Sequence, residues 1–133
     1  MAFEFTLTDI IPASPQQIYD AWLSSDGHAA ITGGQPAQAS ARVGAAFTAW
    51  DGYISGRNVK LEPPSLIVQS WRTTEFTDAD PDSQIEVRLE PVPGGTRLTL
   101  RHSNVPDGHL GYRDGGWQDF YFATMKAHFA GAA

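Results

Sequence analysis

Residues 83–102 read SQIEVRLEPVPGGTRLTLRH, and this stretch decides the fold. Ile85, Val87 and Leu89 share one parity, against Glu86, Arg88 and Glu90 on the other. After Gly94-Gly95 the pattern resumes, with Leu98, Leu100 and His102 set against Arg97, Thr99 and Arg101. Alternation with period two predicts half-buried strands, and the glycine pair between them predicts an antiparallel hairpin. One face of the hairpin must therefore be covered. Residues 115–130 provide the natural cover. At 100° per residue Phe120, Thr124, Trp117, His128, Tyr121, Met125, Phe129 and Phe122 fall on one arc of about 200°, with Asp119, Lys126 and Ala123 opposite. So wide an apolar arc predicts a helix buried on most sides, or one lining a cavity.

Toward the N-terminus the chain continues as strands and turns. Residues 65–74 (Leu66, Ile67, Val68, Trp71) follow a turn at Pro63-Pro64, and residues 53–61 carry Tyr53, Val59 and Leu61. Asp51-Gly52 predicts a two-residue hairpin turn after residues 44–50, which hold Phe47 and Trp50. Residues 26–43, rich in Gly, Ala and Gln, read as a long connection with room for a helical turn or two. Before it, Ser14, Pro15 and Gln17 form a capping box with proline at the first helical position. The helix they start places Ile18, Ala21 and Trp22 on one face and ends at Ser24-Ser25-Asp26-Gly27. Residues 3–11 alternate as a first strand. Residues 105–113, with Pro106, Gly108 and Gly111, read as a loop. Strands in hairpin succession with helices set apart predict an α+β domain on an antiparallel sheet of about six strands. The 133 residues are expected to form one domain, 1–133.

Composition excludes several function classes. Nine Lys and Arg against fifteen Asp and Glu give a net charge of −6 with no basic stripe, which speaks against a nucleic-acid partner and against anionic membranes. Cysteine is absent, so thiolate metal sites, disulfides and a cysteine nucleophile are ruled out. The N-terminus has no basic segment followed by an apolar run, and no stretch approaches the ~20 apolar residues of a membrane span. A cytoplasmic location is the expectation.

Four groups of strings follow in order: Ile11-Pro12-Ala13-Ser14-Pro15 leading into Ile18-Tyr19-Asp20-Ala21-Trp22-Leu23; Ile31-Thr32-Gly33 with Gly44 and Phe47; Trp50-Asp51-Gly52-Tyr53-Ile54-Ser55-Gly56 with Leu61 and Ile67-Val68-Gln69-Ser70-Trp71-Arg72; and His102, Val105-Pro106, Gly116-Trp117 and Tyr121-Phe122. Together they resemble the AHSA-type family, homologues of the activator of the 90-kDa heat-shock-protein ATPase within the START-like (SRPBCC) superfamily. The resemblance covers essentially the whole chain in order. It implies a helix-grip fold, in which a curved antiparallel sheet wraps a long C-terminal helix, often with a cavity between them. It also implies similarity to the C-terminal domain alone of the family's two-domain co-chaperones.

Each chemical motif has a plainer reading beside it. Asp78-Ala79-Asp80-Pro81-Asp82 opens like a calcium loop, but Ser83 stands where the sharp turn needs glycine and Leu89 where a bidentate glutamate is needed. It reads as a solvated hairpin tip. Of the four histidines, His28, His102, His109 and His128, none forms a metal-binding pair at short spacing, and no metal is expected. His102 on the inward sheet face and His128 on the helix arc are expected to point into one interior, as core residues, ligand anchors or a general base. No Gly-x-Ser-x-Gly elbow or phosphate loop is present, so no cofactor is implied. Gln69 shares parity with Ile67 and Trp71, and if buried it requires a hydrogen-bond partner. Arg72 falls on the opposite face.

The aromatic residues are the dominant feature, as an aromatic core or as cavity walls. The expected cavity set is Trp22, Phe47, Trp50, Tyr53, Gln69, Trp71, Ile85, Val87, Leu100, His102, Trp117, Phe120, Tyr121, Met125 and His128, with no catalytic residue assigned. The leading reading is a non-enzymatic domain binding a lipophilic or aromatic small molecule between sheet and helix. The alternative is a protein-interaction domain linked to a heat-shock chaperone. An enzyme of the cyclase, dehydratase or hydrolase kind requires two titratable groups converging in the cavity.

Overall fold

The computed structural model describes residues 2–106, 108–112 and 114–131. The elements run β1 (Ala2–Ile11), α1 (Pro15–Trp22), α2 (Ser25–Ile31), β2 (Ala46–Ala49), β3 (Ile54–Glu62), β4 (Leu66–Thr73), β5 (Ser83–Val92) and β6 (Gly95–Pro106). A short 3₁₀ turn (Leu110–Tyr112) and a C-terminal helix follow. That helix opens with a π-helical stretch (Gln118–Phe122) and continues as α3 (Ala123–Gly131).

All six strands form one antiparallel sheet in the order β1-β6-β5-β4-β3-β2. The hairpins from β2 to β6 form a meander, and β1 returns to pair with the last strand. The alternation of residues 83–102 becomes literal register: Val87 pairs with Leu100 and Ile67, and Ile85 with His102 and Gln69. The second row continues to Phe5 on β1 and Asn58 on β3, so three polar side chains lie in a cross-strand line on the buried face. β6 extends to Pro106, further than its alternation predicts, because Phe3 and Ala2 of β1 pair with Val105 and Pro106.

The capping box forms as predicted: Ser14 Oγ accepts from the Gln17 amide at 3.2 Å, and Gln17 Oε1 accepts from the Ser14 amide at 2.8 Å. α1 buries Ile18, Tyr19 and Trp22. Residues 24–27 end α1 but also begin α2, capped by Ser24 Oγ on the Gly27 amide at 3.0 Å. Gly27 is required there, since a β-carbon would stand 2.7 Å from the Ala21 backbone.

The connection after α2 is anchored from inside. Buried Asn58 donates through Nδ2 to the Ser40 and Arg42 carbonyls, both at 2.8 Å, and its Oδ1 accepts from Gln69 Nε2 at 2.9 Å. Gln69 Oε1 in turn accepts from Trp22 Nε1 at 3.0 Å. The partner that a buried Gln69 requires is thus supplied by protein side chains, and the chain Trp22–Gln69–Asn58 fixes the loop against the sheet.

Two expectations are corrected. The β2–β3 connection is a four-residue loop, 50–53, not a two-residue turn, since Ala49 pairs with Ile54. Trp50 (φ 53°), Asp51 (φ 55°) and Gly52 (φ 87°) are all left-handed. A bulky residue holds that conformation only when its surroundings over-determine it. Here the Asp51 amide donates to the Pro36 carbonyl at 2.9 Å, Tyr53 to Trp50 at 3.1 Å, and the Thr74 amide to the Tyr53 carbonyl at 3.0 Å. The second correction concerns the helix arc. Trp117, Tyr121, Phe122, Met125 and Phe129 are buried, but Phe120 is 56% exposed and His128 only half-buried. The buried stripe 117-121-125-129 repeats every four residues. In an α-helix that stripe drifts by about 40° per step. The wider π turn at 118–122 takes up part of the drift, and it leaves the neighbouring stripe 120-124-128 toward the rim.

Candidate functional site

A pocket of about 370 Å³ opens where the C-terminal helix begins. Its walls are Trp50, Tyr53 and Ile54 from the β2–β3 loop and β3, Trp71 from β4, Gly111 and Tyr112 from the 3₁₀ turn, and Gly116, Trp117, Phe120 and Tyr121 from the helix. The glycines leave the room: no atom lies within 4 Å of where a Gly111 β-carbon would stand. Four of the rings form one cluster: Trp71 meets Tyr112 edge-on at 5.1 Å and Trp117 at 5.5 Å, and Trp117 meets Tyr121 at 4.8 Å. Trp50 and Phe120 form a second pair, edge-on at 5.4 Å.

Two buried histidines hold these walls from behind. Trp117 Nε1 donates to His102 Nδ1 at 3.2 Å, which requires the proton of His102 to sit on Nε2. Nε2 then donates to Ser83 Oγ at 2.8 Å, and Ser83 Oγ donates to the Trp71 carbonyl at 2.5 Å. The relay ties the helix wall (Trp117) to the sheet wall (Trp71). Phe5, Trp71, Tyr112 and Trp117 surround the imidazole, and burial pushes its pKa down to about 3. His28 acts likewise on Tyr121. Its Nδ1–H meets the Trp22 carbonyl at 2.8 Å, and its Nε2 accepts from the Tyr121 hydroxyl at 2.8 Å. Burial lowers the pKa of His28 and raises that of Tyr121, so both stay neutral.

The polar edge of the pocket lies at the other end. The Tyr53 hydroxyl donates to the exposed Glu75 carboxylate, Tyr112 and Thr73 share a hydroxyl hydrogen bond at 3.0 Å, and Thr73 Oγ1 accepts from the Glu75 amide at 3.2 Å. Burial and then the Glu75 hydrogen bond raise the pKa of Tyr53. Arg72 serves the opposite side. It pairs with Asp82 at 2.7 Å and donates to the Thr77 and Asp80 carbonyls, so the acidic 78–82 tip is closed around a guanidinium.

Of the fifteen residues expected around a cavity, Trp50, Tyr53, Trp71, Trp117, Phe120 and Tyr121 line this pocket. Trp22 stacks behind Trp117 and Tyr121, at 6.4 and 5.2 Å. His102 holds the wall residues Trp117 and, through Ser83, Trp71, and Gln69 holds Trp22 behind them, while Phe47, Ile85, Val87, Leu100 and Met125 are core. His128, half-buried beside Phe129, is not among the lining residues. The sequence reading missed Ile54, Gly111, Tyr112 and Gly116 in the walls, and it gave His28 no role. The Gly111-Tyr112 pair within a Gly- and Pro-rich segment was the available signal for that wall.

A six-stranded antiparallel sheet with a C-terminal helix packed against it, and an aromatic pocket at the helix entry, define a helix-grip domain. Residues 12–130 match the family model described as activator of Hsp90 ATPase homolog 1-like protein, and the chain belongs to that family. It is 27% identical over 126 residues to the human activator of 90 kDa heat shock protein ATPase homolog 1, covering 95% of this chain and 37% of that protein. The chain thus spans little more than a third of that curated relative. The fold is similar to that of an HSP90 activator from Plasmodium falciparum, with a TM-score of 0.85 at 22% identity over 94% of both chains. It is also similar to an AHSA1-like protein from Aeromonas hydrophila, with a TM-score of 0.74 at 17% identity over 97% of this chain and 93% of that one.

Proposed function

We propose that this chain is a non-enzymatic binding domain that takes up a compact lipophilic or aromatic molecule in the pocket at the helix entry. The supporting observation is the pocket itself: about 370 Å³, walled by seven aromatic rings and two glycines. Small-molecule sites are typically concave, mostly apolar and roughly 300–1,000 Å³ in volume, with a few polar groups to orient the ligand. The edge around Tyr53, Tyr112, Thr73 and Glu75 supplies those groups. His102 is a poor general base, because Trp117 occupies its one lone pair and Ser83 receives its proton.

Native mass spectrometry of the protein as purified, repeated after denaturation and refolding, tests this reading. An added mass of a few hundred daltons that is lost on denaturation is expected. A clean mass, together with no shift of the Trp50, Trp71 or Trp117 indole signals on titration with naphthylmethanol, refutes it.

A second reading, a protein-interaction domain acting on a heat-shock chaperone, rests on the family match and on the name of the human relative. It predicts that the chain raises the ATPase rate of a 90-kDa heat-shock chaperone. An unchanged rate with saturating protein counts against it.

A further inference from the structure

Among the described residues, the charged group hydrogen-bonded at the edge of the pocket is an acid, Glu75. None of the ten lining residues carries a charge. The Tyr53 hydroxyl, at the end of a lining side chain, is hydrogen-bonded to Glu75, and the paired Tyr112 and Thr73 hydroxyls complete the same polar edge. In sequence, the pocket-forming segments 50–54, 71–75 and 111–121 carry four acids, Asp51, Glu75, Asp114 and Asp119, against two bases, Arg72 and Arg113. Arg72 is committed to Asp82 and to the Thr77 and Asp80 carbonyls on the other side of the strand. An ionised carboxylate only accepts hydrogen bonds, so the edge favours a ligand that donates and is positively charged. The walls favour the same sign, since indole and phenyl faces present negative potential to a cation within about 6 Å of the ring centre.

Building on the binding reading above, we propose that the ligand class is a flat apolar amine or quaternary ammonium. Its ring body lies among Trp50, Trp71 and Trp117, and its cationic end lies at Glu75. On binding, an ammonium donates to the Glu75 carboxylate beside or in place of the Tyr53 hydroxyl, and the phenol keeps Tyr112 and Thr73 as neighbours. A fatty acid or other carboxylate meets repulsion at the same point.

Three probes with one ring body test the charge preference: naphthylmethylammonium, naphthylmethanol and naphthoate. Each is titrated into the full chain in low salt, with the indole signals of Trp50, Trp71 and Trp117 followed by NMR. The ammonium is expected to bind on the order of tenfold more tightly than the carboxylate, with the alcohol between, and the gap is expected to narrow in added salt. Glu75→Gln, at an exposed position, is expected to bring the three affinities within about twofold without altering the rest of the spectrum. Binding of the carboxylate equal to or tighter than that of the ammonium overturns the proposal, as does a cation preference that survives Glu75→Gln. Failure of all three probes to bind overturns the binding reading as well, and so separates the two failures.

Discussion

Acidification removes a stabilising contribution that His102 makes only while neutral. Its pKa falls from 6.5 in the unfolded chain to about 3 in the folded one, through burial. Below pH 6.5 the unfolded state therefore binds a proton that the folded state refuses. The contribution is complete above 6.5, erodes as pH falls, and stops eroding near 3, where folded His102 also protonates. One pKa unit is worth about 1.4 kcal/mol, so lowering the pH from 7 to 5 costs about 2 kcal/mol at this site alone. That is a large share of the roughly 5–15 kcal/mol that holds a domain of ordinary size. His28, whose pKa is also lowered, adds in the same direction. Urea unfolding followed by tryptophan fluorescence at the two pH values measures the loss. His102→Gln keeps a polar group at the site but cannot titrate. The variant is expected to be less stable at pH 7, with a loss between pH 7 and pH 5 smaller than that of the parent by about 2 kcal/mol. An equal loss in parent and variant would show that His102 is not the buried neutral base described here.

Other perturbations probe the walls and the sheet. Trp117→Phe keeps an aromatic ring, though a smaller one, and leaves His102 Nδ1 without its donor; a stability loss of at least about 1–3 kcal/mol is expected in the same urea assay. Gly56→Ala drives a β-carbon into the Ser70 carbonyl and the Phe47 ring, so a loss of at least about 3 kcal/mol or failure to accumulate as folded protein is expected; Gly111→Ala, in open space, is expected to change stability by less than about 0.5 kcal/mol while reducing pocket volume and probe affinity. Phe120→Ala, at a 56% exposed position, should leave thermal stability nearly unchanged yet weaken naphthylmethanol binding severalfold; unchanged affinity would remove Phe120 from the site.

The parts of the fold legible in the sequence were those set by local rules. The capping box at Ser14 and Gln17 is contained within four residues, and the alternation of 83–102 follows directly from a sheet with one buried face. α2 was barely visible because it is short, contains Gly27 and is capped by a serine that also reads as the end of α1. The role of His28 was hidden because its partner Tyr121 lies 93 residues away. His128 and Phe120 were assigned to the inner arc by a uniform 100° step, an assumption that the π stretch breaks. The aromatic side chains left a cavity and a core as alternatives; some of them are core, and others line the pocket at the helix entry. Sequence could not divide them, because Trp22 and Trp117 differ only in which side of one stack faces the opening.

The π-helical stretch has a consequence for how this scaffold can diversify. Gln118–Phe122 takes more residues per turn than an α-helical path of the same span. Deleting a single residue there lets the segment close as regular α-helix. α3 stays docked through Met125, Phe129 and the 2.6 Å Lys126–Asp9 pair, while Trp117 and the turn before it rotate by about 100° around the axis. The aperture is therefore set by chain length as much as by side-chain identity. Homologues with the same wall rings but one residue fewer in this segment are expected to have a differently shaped pocket, a difference that residue-by-residue comparison of the walls does not register.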